Sequence, residues 1–204
     1  VQLTPPYSLW DGKDYKSTAL SEQERYNWIE FHKWMLKGQW FTPLTRNGNL
    51  VLMARAEMGY LGHYNKNKVS PFERFEVGGD GMTGYNMYGI DIISMRGYDD
   101  GALDPVGSNY SCAYNKYTME LRYPLLLKGQ TNIYVLGFLE GGNGFTSWKE
   151  FSPFKIKRSA GIGVRLFLPV VGMVGVDGGG GSPRAGGHPK RGGSHIHFTM
   201  GMQF

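Results

Sequence analysis

The sequence predicts an all-β chain, an antiparallel transmembrane β-barrel or part of one, and three observations carry that expectation. Among 204 residues there are 31 Gly, 13 Tyr, 11 Phe and 5 Trp, a strand-and-turn composition with few helical periods. Several segments alternate apolar and polar residues. The connections between those segments are short at one end and long at the other, the asymmetry of outer-membrane barrels.

Taken in order, "VQLTPPY" reads as a partial strand with Val1 already inside it. Residues 28–43 set Trp34, Leu36 and Trp40 against Lys33, Lys37 and Gln39, and the Asn47-Gly48 turn signal leads into 49–62. There Leu50, Leu52, Ala54, Ala56, Met58 and Tyr60 oppose Val51, Met53, Arg55, Glu57 and Gly59. In 113–126, Tyr117, Met119, Leu121 and Tyr123 form an apolar face opposite Lys116, Thr118, Glu120 and Arg122. "LKGQT" turns into a strand at 132–141, and "PVVG" joins strands at 159–168 and 171–177. The last strand, "HIHFTMGMQF", puts Ile196, Phe198, Met200, Met202 and Phe204 on one face, with Gly201 among the residues of the other. A charge facing lipid at mid-bilayer costs about 2–4 kcal/mol, and the central parts of these apolar faces carry none.

The long connections span 63–112, "GGNGFTSWKEFSPFKIK", and the glycine-rich 177–193, which reads as a flexible outer loop or linker. Eight strands, the first cut at Val1, fit half of a larger barrel better than a closed small one. The absence of Met and of a leader at Val1 points to a mature chain or a fragment. The most apolar run, Gly161 to Val176, is interrupted by Arg165 and Pro169; a spanning helix wants about 20 apolar residues, but a barrel strand needs only about 9–11. A net charge of +5 suits lipid headgroups or nucleic acid and chooses neither, and the single Cys112 excludes an intrachain disulfide within this segment.

Motifs for other chemistry are weak. "GGDGMTG" contains G-x-G-x-x-G, but no capped helix or βαβ pattern follows, so nucleotide binding is not expected. His195 and His197 share a strand face near His188 without an acidic or cysteine ligand obviously placed, so no metal site is expected. A G-x-S-x-G elbow is absent, and no enzyme and no cofactor is expected. Lys66, Lys68, Lys155, Lys157, Arg158, Lys190 and Arg191 are loop charges, available to lipopolysaccharide phosphates or simply solvated.

The long loop carries "SMRGYDDGALDP", preceded by "PFERFEVGGDG", and the strands carry "MELRYP" and "LGFLEGG". With these motifs the chain resembles the C-terminal half of the BamA-type outer-membrane assembly proteins. That family has V-R-G-F/Y in a loop folded into the lumen; here the motif is Met95, Arg96, Gly97 and Tyr98. Glu120 stands at the family's twelfth-strand glutamate and Glu140 at its thirteenth-strand Asp, keeping the charge. Such an arginine in a lumen needs charge-assisted partners, which the two glutamates supply.

The resemblance implies strands 9–16 of a 16-stranded barrel, with periplasmic repeat domains and the first half of the barrel upstream. It implies a non-enzymatic factor for inserting β-barrels into the outer membrane of a Gram-negative bacterium. Client strands would add at the seam between first and last strands, where Gly201 permits a kink and Phe204 is the terminal aromatic. The implied partners are nascent outer-membrane barrels, accessory lipoproteins or other outer-membrane subunits, periplasmic chaperones, lipid and lipopolysaccharide, with no nucleic acid. The rival readings are a porin or receptor-type transport barrel, a related protein-secretion barrel, and a soluble β-rich module binding an anionic ligand through its basic loops.

Overall fold

The computed structural model describes residues 1–16, 20–81, 88–108, 110–128, 131–169, 172–182 and 194–201, with backbone alone at Lys128, Met200 and Gly201. The alternating segments form one eight-stranded sheet. Its strands are β1 (Gln2–Leu3), β2 (His32–Pro43), β3 (Val51–Gly62), β6 (Ala113–Lys128), β7 (Thr131–Phe145), β8 (Lys157–Leu168), β9 (Gly172–Gly181) and β10 (Ser194–Gly201), in that spatial order. Every neighbouring pair is antiparallel. Among the described residues the sheet is open, with β1 and β10 as its edges. A one-turn helix, α1 (Glu22–Arg25), lies before β2 and starts on a capping box between Ser21 and Glu24.

Side-chain alternation gives the sheet two unlike faces. One is bare and apolar: Trp40, Leu139, Ile162 and Ile196 are 73%, 59%, 73% and 72% exposed, and Leu121, Val164, Val176 and Phe198 stand beside them. An apolar surface this continuous is not left to water, since each large side chain forgoes roughly 1.5–3 kcal/mol of burial. The other face buries Thr118, Glu120, Glu140, Ser159, Arg165 and Asp177, and the described part of the 63–112 loop packs on that side. Near the short turns the ladder of β6 and β7 slips between Pro124 and Leu126, where proline has no N–H to donate.

The loop is more structured than its sequence suggested. It holds a two-stranded parallel pair, β4 (Phe75–Val77) and β5 (Asp91–Ile93), so the fold is not wholly antiparallel. Phe75, Val77, Ile93, Met95, Tyr98, Ala102 and Leu103 pack with Leu61 and Tyr114 of the sheet into a buried core. The glycines of "EVGGDG" serve this packing. Gly78 (φ +135°) and Gly79 (φ +75°) turn the chain where a Cβ would strike the Asp99 carbonyl and the Asp100 carboxylate. The G-x-G-x-x-G match thus begins in a packed turn; Gly84 lies outside the described residues.

Three expectations are corrected. The strand that begins at Gly172 does not stop at 177: glycines 178–181 continue β9, paired to β8 and β10. Backbone pairing on both sides needs no side chains, and the space they leave is used by Phe138, whose ring stands 2.6 Å from a Cβ position on Gly179, and by Tyr98, 2.6 Å from one on Gly181. The strand expected at 132–141 reaches Phe145, because Gly142, Asn143, Gly144 and Phe145 pair with β6. Lys68 is not a solvated loop charge but is 2% exposed, lying 4.8 Å over the Tyr15 ring and 3.8 Å from Glu30.

Candidate functional site

The site is built where the loop motif lands on the covered face. Gly79 and Met95 form an antiparallel bridge, with the Met95 N–H donating to the Gly79 carbonyl at 2.9 Å. This fixes the backbone just before Arg96. Gly97 follows with φ +84°, and a Cβ on it would lie 2.9 Å from the Gly180 carbonyl carbon. The chain therefore touches β9 at a point where only glycine fits.

Arg96 is 7% exposed and points between β6 and β7. Its Nε and Nη2 donate to Glu140 Oε1 at 3.0 and 2.7 Å, and its backbone N–H donates to Glu140 Oε2 at 2.9 Å. Nη2 also donates to Glu120 Oε1 at 2.6 Å. The guanidinium carbon sits 3.9 Å from the centre of the Phe138 ring. The spacing F-x-E-x-G in β7 has a direct reading, because Phe138, Glu140 and Gly142 share one face. Phe138 underlies the guanidinium, Glu140 grips it, and Gly142 leaves room for the Met95 sulfur, 3.0 Å from where a Cβ would be. Burial disfavours the arginine's charge, yet Glu140 and Glu120 outweigh that and hold its pKa above the ordinary value.

Each glutamate has further partners. Arg122 donates from Nε and Nη2 to Glu120 Oε2, at 2.8 and 2.7 Å. Thr118 donates to Glu140 Oε1 at 3.3 Å. Lys116 Nζ is 3.9 Å from that same oxygen and donates to the Ser94 carbonyl at 2.5 Å. On β9, Asp177 lies 3.6 Å from Arg96 Nη1 and is held by Arg165. Tyr98 covers the upper end, its hydroxyl donating to the Arg158 carbonyl at 2.8 Å.

The structure thus brings together Arg96, Glu120 and Glu140, with Gly97 and Tyr98 packed on β9. Sequence reasoning did not include Asp177, Arg165, Phe138 or His197 in this cluster. Asp177 was hidden because it opens the glycine-rich run; the alternation of Val174 and Val176, which sets Asp177 on the opposite face, was the signal. Ile196 and Phe198 lie on the bare face and Met200 and Gly201 continue β10, while Met202 and Phe204 fall outside the described residues. Among the described residues no group of three His, Cys, Asp or Glu side chains is placed to hold a metal ion.

A sheet with one bare apolar face and an arginine-anchored loop packed on the other has the build of a membrane β-barrel wall. The Omp85 superfamily domain matches residues 20–204, and the chain belongs to that superfamily. Its fold is similar to the crystal structure of BamA from Haemophilus ducreyi lacking POTRA domains 1–3, with a TM-score of 0.57 at 17% identity. The match covers 82% of this chain and 34% of that one, so the chain spans about a third of its length. No curated protein matches in sequence.

Proposed function

We propose that this chain is the C-terminal half of the barrel of an outer-membrane assembly protein of a Gram-negative bacterium, and that it helps fold and insert other β-barrels into that membrane. The observation that carries the reading is the Arg96 anchor on Glu120 and Glu140, in a chain of the Omp85 superfamily. The covered face is then the lumen and the bare face meets lipid. Strands of the first half and periplasmic domains precede this segment.

The work is non-enzymatic and consists of exchanging backbone hydrogen bonds. Among the described residues β10 pairs only with β9, so one row of its N–H and C=O groups is available to the barrel's first strand or to a client. An edge of this kind templates a strand by main-chain pairing, while alternate side chains set register. The gate residues are Ile196, Phe198, Met200, Gly201, Met202 and Phe204; Gly201 lacks a side chain to pack and permits an inward bend. Nascent barrel proteins are the clients, with accessory outer-membrane subunits and periplasmic chaperones as partners.

A photocrosslinker or cysteine at Phe198, compared with one at Leu139 in the middle of the sheet, tests the seam. Crosslinks to an arrested client at Phe198 and not at Leu139 are expected; equal yields at both would count against it. Depletion of the protein is expected to lower many outer-membrane proteins together. Loss of a single secreted protein or solute would instead favour a secretion or transport barrel.

A further inference from the structure

His197 lies on the covered face of β10, 5% exposed, and its Nε2 stands 2.8 Å from the backbone N–H of Gly97. We propose that His197 is a positioning residue, latching the loop motif to the last strand while its imidazole is neutral and releasing it when the ring is protonated.

The geometry dictates the tautomer. Gly97 N–H is a donor, so Nε2 must carry a lone pair and the proton sits on Nδ1. Among the described residues nothing else in the hydrogen-bonding of the Arg96–Gly97–Tyr98 segment reaches β10: Arg96 binds β6 and β7, and Tyr98 binds the Arg158 carbonyl and Ser182. Protonation turns Nε2 into a second donor facing the first, and the contact becomes repulsive. The groups that face the ring are Asp177 on β9, its partner in register; Glu140 on β7; Asp80 in the loop; and His195 on its own strand, 5.9 Å between ring centres. Asp177 is already held by Arg165 and faces Arg96. His195 makes a second contact between this strand and the loop, its Nδ1 lying 3.5 Å from Asp99. Acidification therefore removes the tie between loop and strand at Gly97.

As a control on opening at β10, this rests on the assembly reading; the latch itself does not. The test is amide hydrogen exchange over residues 96–98 of the full-length protein in phospholipid nanodiscs, at pH 8 and pH 5, corrected for intrinsic rates. Protection at Gly97 is expected to fall about tenfold at pH 5, as for loss of one buried hydrogen bond. His197→Gln, whose amide oxygen accepts without titrating, is expected to stay protected at both values, and His197→Leu to be unprotected at both. His195→Gln should keep the parent's response. Equal protection of His197→Leu and parent at pH 8, or the same acid loss in His197→Gln, would overturn the latch. Client assembly by the same variants is a separate readout: a pH-responsive latch in a protein that assembles no clients would sink the assembly reading alone.

Discussion

Arg165 and Asp177 meet across β8 and β9 in a two-pronged pair, Nη1 to Oδ1 at 2.7 Å and Nη2 to Oδ2 at 2.6 Å, both buried. The pair fixes Asp177 beside Arg96 and extends the charge cluster to the strand next to β10. Asp177→Asn leaves a buried guanidinium without its counter-charge, and removing one partner of such a pair costs roughly 3–5 kcal/mol. Equilibrium unfolding in lipid should show that loss. Replacing both, as Arg165→Met with Asp177→Leu, should cost less; a double variant as unstable as the single would reject the pairing argument.

Glu140 accepts three hydrogen bonds from Arg96 and Glu120 one. Glu120 also keeps Arg122 when Arg96 is gone. Double-mutant cycles should therefore give a larger coupling for Arg96 with Glu140 than with Glu120, within the usual range of about 0.5–3 kcal/mol for contacting residues. Arg96→Lys, a point charge without the planar fork, should not restore either.

Two glycines, one on β7 and one on β9, should respond in opposite ways. Gly137 floors an apolar groove on the bare face between Tyr123, Val135 and Ile162, and a Cβ there meets nothing within 4 Å. Gly137→Ala should leave the melting temperature unchanged. At Gly181 a Cβ lies 2.6 Å from the Tyr98 ring, so Gly181→Ala should displace Tyr98 and speed proteolysis within 63–112. Equal behaviour of the two variants would contradict the placement of the loop.

Burial pushes the Cys112 thiol above its ordinary pKa, so less of it is thiolate at neutral pH than in an open peptide. Maleimide labelling at pH 7 should be slower than that of a peptide cysteine. Its rate should still be climbing with pH where the peptide's has levelled. A labelling rate matching the peptide's would show that the segment joining loop and β6 is not packed as described.

Much of the wall was legible because a sheet with unlike faces imposes a period of two. The alternations around Met119, Ile162 and Ile196 identify which side is bare, and Asn47-Gly48 fixes a turn without reference to anything distant. The same period failed at 178–181, where a strand of glycines has no faces to read. The loop was legible as a motif but not as a shape: β4 and β5 are three residues each, too short for alternation to announce a parallel pair.

By itself, the sequence determined the alternating strands of the wall, their two faces and the residue types that a buried arginine requires, since these depend on local alternation and on charge balance. Only the tertiary structure decided that Arg96 reaches Glu140 more fully than Glu120, that Asp177 and Arg165 join them, and that His197 accepts from Gly97. Those partners lie on different strands or 100 residues apart in the chain. Their meeting depends on strand register and on a glycine surface close enough for a loop to lie against, which no local pattern encodes.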